Sequence, residues 1–481
     1  MTLTAQTDRT SEISKRIPHD RVIALRNKLR GTAVLPGEQG YDAARTIWNA
    51  MIDRHPALAV RCQNAADVVA AVTFARENDL VLCIRSGGHN IAGSAVCDNG
   101  LLIDFSLMKS VRVDPVARTA RVEPGATLAD FDKEAQAFGL ATPLGINSTT
   151  GVAGLTLGGG FGWTSRKFGL TVDNLLSADV VTAHGKLLHA SNSEHQDLFW
   201  ALRGGGGNFG VVTSFEFKLH PLGPEVLSGL IVHPLDSAGE LLAGFRRIAM
   251  QAPDELTIWA VMRKAPPLPF LPAEWHGKEV LIFAACYSGD MKESDRALKP
   301  LRALGDPIAD VISPHRFTDW EAAFDPLLTP GARNYWKSHD FAALPDDAIK
   351  IIVEAVRALP SPECELFIAN VGGAVARIPA EATPWPNRDA HFIMNVHTRW
   401  RDKAQDGTCI AWTRQLFDAT TPFASGSVYV NFMPDDEKDR VENAYGKNYR
   451  RLADIKRRYD PENLFRMNQN IRPRSDKPLR E

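Results

Sequence analysis

Apolar and polar positions along this chain fall into short blocks whose period keeps changing. From Asn64, N-A-A-D-V-V-A-A-V-T-F-A-R-E-N-D-L places apolar residues at helical spacing behind a good capping side chain and predicts a helix. L-V-L-C-I-R-S at 80–86 is a continuous apolar run, a buried strand feeding the turn Gly87-Gly88-His89, and L-L-I-D-F-S at 101–106 is another strand. V-R-V-D-P-V-A-R-T-A-R-V-E-P at 111–124 alternates around a proline-containing turn and predicts a hairpin. A short amphipathic helix then runs from a cap at Thr127 to Gly139. A second hairpin turns at His184-Gly185, H-Q-D-L-F-W-A-L-R at 195–203 is helical until its glycines, and F-G-V-V-T-S-F-E-F-K at 209–218 is a strand.

Past residue 223 the texture changes. Longer apolar runs, V-L-I-F-A-A-C-Y-S-G (280–289), E-L-F-I-A-N-V-G-G (365–373), H-F-I-M-N-V-H-T-R-W (391–400) and S-V-Y-V-N-F (427–432), read as strands of a larger antiparallel sheet with helices on one side. Strands arranged as hairpins and mixed with helices, without strict alternation, predict an α+β protein.

Composition narrows the function. At 481 residues two domains are expected, and a net charge of −2 makes no electrostatic case for nucleic acid or an anionic membrane. The first twenty residues are polar and lack the core of a signal peptide, and no apolar run reaches the ~20 residues that span a bilayer. Six scattered cysteines without a C-x-x-C pair suggest neither a metal site nor a disulfide scaffold, so free thiols and a cytoplasmic location are expected.

Three glycine clusters stand out: Arg85-Ser86-Gly87-Gly88-His89-Asn90, Gly151 to Gly162 (G-V-A-G-L-T-L-G-G-G-F-G), and Gly204 to Gly207 followed by Asn208-Phe209-Gly210. Glycine lets backbone N–H groups approach an anion closely, which suits a pyrophosphate and a flat ring; a single cluster would fit tight turns better, and three together shift the balance towards a phosphate-bearing cofactor. Gly205-x-Gly207-x-x-Gly210 matches the dinucleotide fingerprint only formally, because it follows a helix and precedes a strand.

These motifs resemble the FAD-linked oxidases of the vanillyl-alcohol-oxidase type, specifically the berberine-bridge-enzyme-like branch. R-S-G-G-H-N at 85–90 is similar to the family's flavin-attachment loop, G-V-A-G-L-T-L-G-G-G-F-G at 151–162 to the loop beside the ring and pyrophosphate, and D-L-F-W-A-L-R-G-G-G-G-N-F-G-V-V-T at 197–213 to a family signature. T-P-W-P-N-R (383–388), Trp400, Y-V-N-F (429–432), A-Y-G-K-N-Y-R-R-L (444–452) and Y-D-P-E-N-L-F (459–465) are similar to C-terminal motifs. The resemblance implies a two-part, PCMH-type FAD-binding domain over 40–222, a substrate domain over 223–455, and a return of 456–481 to the first domain. It implies FAD bonded through its 8α carbon to His89, since a neutral imidazole is nucleophilic near pH 7. Cofactor contacts are expected from Arg85, Ser86, Gly87, Gly88, Asn90, Asn147, Thr150, Gly151, Gly154, Gly158, Gly159, Gly162, Gly207, Asn208, Gly210 and Val212, with Asn468 and Asn470 from the C-terminal segment.

Two departures from the family pattern shape the functional reading. Many relatives add a cysteine link to the flavin within G-x-C-P-T-x-G; here Asn147 holds that position and no cysteine lies between Cys97 and Cys286, so one covalent bond is expected. The tyrosine base at the fourth position of Y-x-N-Y is Phe432, leaving Tyr429 at the other end of the motif. By alternation Ile393, Asn395 and His397 share a strand face; Asn395 matches a substrate-site position and His397 is a candidate base, with a structural hydrogen-bonding role as the alternative.

The expected function is an oxidase passing hydride from a small amine, alcohol or phenolic substrate to the flavin, with O2 giving H2O2. An amine needs no strong protein base, which fits the bacterial amine oxidases that L-F-W-A-L-R-G and N-F-G-V-V-T also resemble. Thr150 before G-V-A-G-L is similar to oxygen-modifying members, so a flavin-N5-oxide oxygenase stays open, as do a dehydrogenase with another acceptor and a non-catalytic flavin protein. Trp259, Tyr335 and Trp336 are expected in the core rather than at the ligand. No metal is expected, and oligomeric state is not legible.

Overall fold

The computed structural model describes residues 17–474, so the polar leader lies almost wholly outside the described residues. Strands β1 (Thr32–Val34), β2 (Leu58–Arg61), β3 (Leu82–Arg85) and β4 (Leu101–Asp104) form a four-stranded sheet in the order β1-β2-β4-β3. Helix α1 (Ala65–Glu77), capped by the Asn64 side chain on the Asp67 amide, carries the chain from β2 to β3. Both strands therefore run parallel to β4 between them. The hairpin reading did not anticipate this parallel pairing, which the helix between β2 and β3 and the long 86–100 connection between β3 and β4 make possible. Val68, Ala71, Val72 and Ala75 of α1 pack on Leu58, Val60, Leu82, Leu101 and Ile103.

A second sheet holds β5 (Val111–Asp114), β6 (Thr119–Val122), β7 (Leu175–Val181), β8 (Leu187–Ser191) and β9 (Val211–Lys218) in the order β5-β6-β9-β7-β8, all antiparallel. Both predicted hairpins are present. Helix α2 (Leu128–Gln136) carries the Thr127–Asp130 capping box, α3 (Val152–Leu157) is short, and α4 (Gln196–Leu202) ends at the glycine turn before β9. The formal dinucleotide fingerprint thus sits between a helix and a strand.

The third sheet contains β10 (Glu225–Pro234), β11 (Leu256–Lys264), β12 (Glu279–Tyr287), β13 (Arg333–Phe341), β14 (Glu365–Asn370) and β15 (Phe392–Trp400) in the order β10-β12-β11-β14-β15-β13, with short strands at the β10 edge. Helices α5 (Ala238–Gln251), α6 (Asp346–Val356) and α7 (Asp406–Thr420) cover one face through Leu242, Phe245, Ile349, Ile352 and Leu416. On the opposite face Trp259, Phe367, Ala369 and Ile393 pack with Phe161, Trp163 and Tyr429 from outside the sheet. Both faces are buried, which accounts for the unbroken apolar runs.

The predicted strand at 427–432 is instead a 3-10 turn, Val430–Phe432. It is pinned from the side: Gly160 N donates to the Tyr429 hydroxyl at 3.1 Å, and Asn431 Nδ2 donates to Leu155 O at 3.2 Å. The return of the chain to the second sheet begins ahead of the expected boundary at 456. Val428, Val441, Tyr445 and, from helix α8 (Tyr449–Tyr459), Leu452 and Ile455 share its core, and Leu464 and Phe465 reach the first sheet. All six cysteines are buried and free, and among the described residues no helix is long and apolar enough to cross a membrane.

Candidate active site

Strand register assembles one wall of the site. Arg263 on β11 lies opposite Glu365 on β14, Glu365 opposite His397 on β15, and His397 opposite Trp336 on β13. Directly opposed residues have neighbouring Cβ atoms, so these four side chains form a row across the sheet. Arg263 Nη1 donates to Glu365 Oε2 at 2.7 Å, while Glu365 Oε1 lies 3.0 Å from His397 Nδ1. Trp336 meets the His397 ring edge-on, centroids 4.3 Å apart. The next row along the same face is Val261, Phe367, Asn395 and Ser338.

Burial alone pushes the Glu365 carboxyl up, but the Arg263 guanidinium and the His397 hydrogen bond outweigh it and hold it at about 2. Burial drives His397 below its ordinary value, with Glu365 opposing only in part. A neutral imidazole beside a carboxylate donates its Nδ1–H, so Nε2 carries the lone pair. Among the described residues, His397 Nε2, both amide atoms of Asn395 and Trp336 Nε1 have no hydrogen-bond partner.

Glycine loops form the facing wall. A Cβ on Gly87 would stand 2.4 Å from the Gly151 nitrogen, so the loops at 85–90 and 145–151 touch backbone to backbone and admit no side chain there. Trp48 stacks on the His89 ring, centroids 5.1 Å apart, and meets Trp336 edge-on at 5.7 Å. Thr149 Oγ1 lies 3.0 Å from His89 Nε2 and 2.6 Å from Asn147 Oδ1, which also accepts the Thr149 amide. Asn147 Oδ1 can only accept, so the Thr149 hydroxyl gives it its proton and accepts from His89 Nε2–H. Nδ1 of His89 is then the bare nitrogen. Burial lowers this imidazole to about 4, so the ring is neutral at pH 7.

A cavity of ≈ 300 Å³ joins the two walls. Ser86, Gly87, Gly88, His89, Asn90, Asn147, Thr150, Gly151, Gly154, Gly158, Gly207, Gly210, Val212, Asn395, His397, Tyr429 and Asn468 all line it. Five residues expected at the cofactor do not. Arg85 is drawn away to the carbonyls of Ala43 and Ala44, and Asn208 ties the C-terminal segment to the glycine turn by accepting from Ile471 N. Gly159 packs against Trp385 and Tyr429, Gly162 is close against Leu144 O, and Asn470 falls outside the cavity wall. Tyr429 lines the cavity, but its hydroxyl accepts from Gly160 N and Asn431 Nδ2, and burial pushes it up to about 12. It closes the 158–160 loop and is no base at neutral pH. Trp259 and Trp336, expected in the core, stand in the cavity wall, whereas Tyr335 bonds Asp436 as part of the scaffold. Trp48, Thr149, Arg263 and Glu365 were missed; Thr149 holds the threonine of the G-x-C-P-T-x-G stretch, whereas no local motif marks the other three.

Backbone-lined glycine loops, a neutral histidine within one of them, and partnerless polar atoms on the opposite wall fit a flavin nucleotide. The comparisons agree. Residues 56–191 match the model of an FAD binding domain, and residues 428–472 the model described as berberine and berberine like. An FAD-linked oxidoreductase of Dictyostelium discoideum is 33% identical over 89% of this chain and 91% of that protein. The (R)-6-hydroxynicotine oxidase of Paenarthrobacter nicotinovorans is 31% identical over 92% of this chain and 97% of its own. The crystal structure of 6-hydroxy-D-nicotine oxidase from Arthrobacter nicotinovorans superposes with a TM-score of 0.84 at 30% identity, covering 93% of this chain and 98% of that one. Fold and site therefore define an FAD-dependent oxidoreductase with a PCMH-type binding domain. Within that class the chain belongs to the berberine-bridge-enzyme-like family of FAD-linked oxidoreductases.

Proposed function

We propose that this protein is an oxidase of a small, largely apolar organic substrate, that it carries FAD on a single covalent bond to His89, and that O2 is its electron acceptor. Bound FAD supplies a two-electron acceptor that takes hydride from a substrate C–H and is reoxidised by O2 with release of H2O2. The observation that carries the reading is one cavity walled on one side by His89 and two touching glycine loops, and on the other by His397 and Asn395.

His89 supports attachment because its ring is neutral and Thr149 holds the proton on Nε2, leaving Nδ1 to form the bond. Asn147 supports a single link, since it lines the cavity at the position where relatives place a cysteine. The loops at 86–90, 145–158 and 206–212, with Asn468, would hold the cofactor.

On the substrate side, His397 Nε2 accepts a proton and Asn395 offers a donor and an acceptor, while Phe161, Trp259, Phe367 and Phe432 exclude water. A smaller chamber of ≈ 60 Å³ adjoins across Trp259, Glu365 and Phe367; Leu230, Val261, Leu268 and Phe270 are among its apolar lining. Such walls suit an alkyl or aryl substituent and offer little to a polyhydroxylated substrate.

The test is a panel of amines, alcohols and phenols on air-equilibrated protein, following flavin bleaching and peroxide. One peroxide per substrate, with flavin that stays on the acid-denatured polypeptide in wild type and leaves it in His89→Ala, is the expected result. Bleaching without peroxide would identify another acceptor, and acid-released wild-type flavin would overturn the covalent link.

A further inference from the structure

Resting on the oxidase reading, we propose that Glu365 and Arg263 are positioning residues that hold His397 in its Nδ1–H form and turn Nε2 into the proton acceptor for a substrate O–H or N–H. The pairing register sets these side chains side by side on three adjacent strands, with contacts of 2.7 Å and 3.0 Å. Glu365 accepts from both neighbours, so the only hydrogen it can receive from His397 is Nδ1–H. The unpartnered Nε2 lies buried on a residue of the cavity wall. The row is electrically balanced at rest, with one cation, one carboxylate and a neutral ring. When the substrate X–H bond breaks, its proton moves to Nε2 and the carboxylate steadies the imidazolium. The electron pair left on X forms the C=X bond as hydride leaves the carbon for the two-electron acceptor of this enzyme class. A positioned histidine thereby takes the place left by Phe432, and an alcohol becomes as feasible a substrate as an amine.

The charges acting on His397 are Glu365, Arg399 and Arg263. Arg399 is committed to Glu363 at 2.9 Å and to the Thr329 carbonyl. β13 contributes the uncharged Trp336, and the 429–432 turn places Phe432 against that indole.

Two readouts test the proposal on flavin-loaded protein. Histidine 15N NMR without substrate, with the His397 signals identified by their loss in His397→Gln, should show a protonated Nδ1 and a bare Nε2. Glu365→Gln should mix or reverse the tautomers. With a substrate from the panel, Glu365→Gln should slow flavin reduction at least tenfold with little change in KM and displace the acid limb of the pH profile, and Glu365→Asp should restore part of the rate. Should Glu365→Gln fail to fold, Glu365→Asp and Arg263→Lys give the same pair of readouts. A wild-type Nε2–H tautomer, or an unmoved rate and pH profile in the variants, overturns the assignment. If no substrate bleaches the flavin, the oxidase reading fails while the NMR result still decides the positioning roles.

Discussion

The Thr149 hydroxyl lies 3.0 Å from Nε2 of His89 and gives its own proton to Asn147, so it meets the imidazole as an acceptor. Thr149→Val removes that acceptor at nearly constant volume. One hydrogen bond contributes roughly 0.5–1.5 kcal/mol, so covalent flavin incorporation should slow up to about tenfold without loss of fold. In-gel flavin fluorescence after a timed FAD addition reads this directly; incorporation at the wild-type rate would remove Thr149 from the role. Because burial lowers His89 to about 4, wild-type incorporation should be flat from pH 8 down to about pH 5 and fall only as the ring begins to protonate.

Gly87→Ala tests the contact between the loops. The added methyl would stand 2.4 Å from the Gly151 nitrogen and 2.8 Å from its Cα, backbone atoms that cannot rotate aside. Overpacking of this kind costs about 1–3 kcal/mol. The purified variant should contain little flavin and melt below wild type by several degrees. Full flavin content at the wild-type melting temperature would mean that the loops separate freely.

His397→Gln should lower turnover by about 10²–10⁴-fold, the usual contribution of a general base, while leaving the absorbance and covalent attachment of the flavin intact. In the wild type the lone-pair form of His397 is required and burial lowers the ring below 6.5, so kcat/KM should stay level at neutral pH and decline only on the acid side of 6.5. Turnover equal to wild type in the variant would return His397 to a structural role.

Asp132 on α2 is buried, neither carboxyl oxygen has a partner among the described residues, and burial pushes it to about 8 from an ordinary 3.8. The folded state therefore keeps a proton that the unfolded chain releases. The stability from this group is full below about pH 4 and is lost as pH rises towards 8. Asp132→Asn has no proton to lose and should raise Tm by several degrees at pH 8 while changing it little at pH 4. Equal shifts at both pH values would show that ionisation of this group is not involved.

Much of the flavin side was legible locally, because its determinants are local. Asn64 and Thr127 cap the helices they were expected to cap, Gly185 turns its hairpin with φ +73, and the loops carrying His89 and Gly151 both line the cavity. Local reading failed where a residue's role depends on what packs against it. The apolar alternation of Ser427 to Phe432 fits a strand, yet Tyr429 and Asn431 bond the glycine loop from the side and coil the segment into a turn. Arg85 and Asn208 sit in the right motifs, but nearby carbonyls and the Ile471 amide claim their side chains.

The α+β class, the glycine-rich loops, the histidine within one of them, and Asn147 and Phe432 in place of the family's cysteine and tyrosine were all legible in the residues alone. Glycine, capping and period act over a few residues, so they are written where they act. The tertiary structure alone decided that Arg263, Glu365, His397 and Trp336 stand in one row, and that Thr149 and Trp48 orient His89. Strand register joins residues more than a hundred positions apart, and only the closed, buried sheet selects one register among the many that the apolar runs allow.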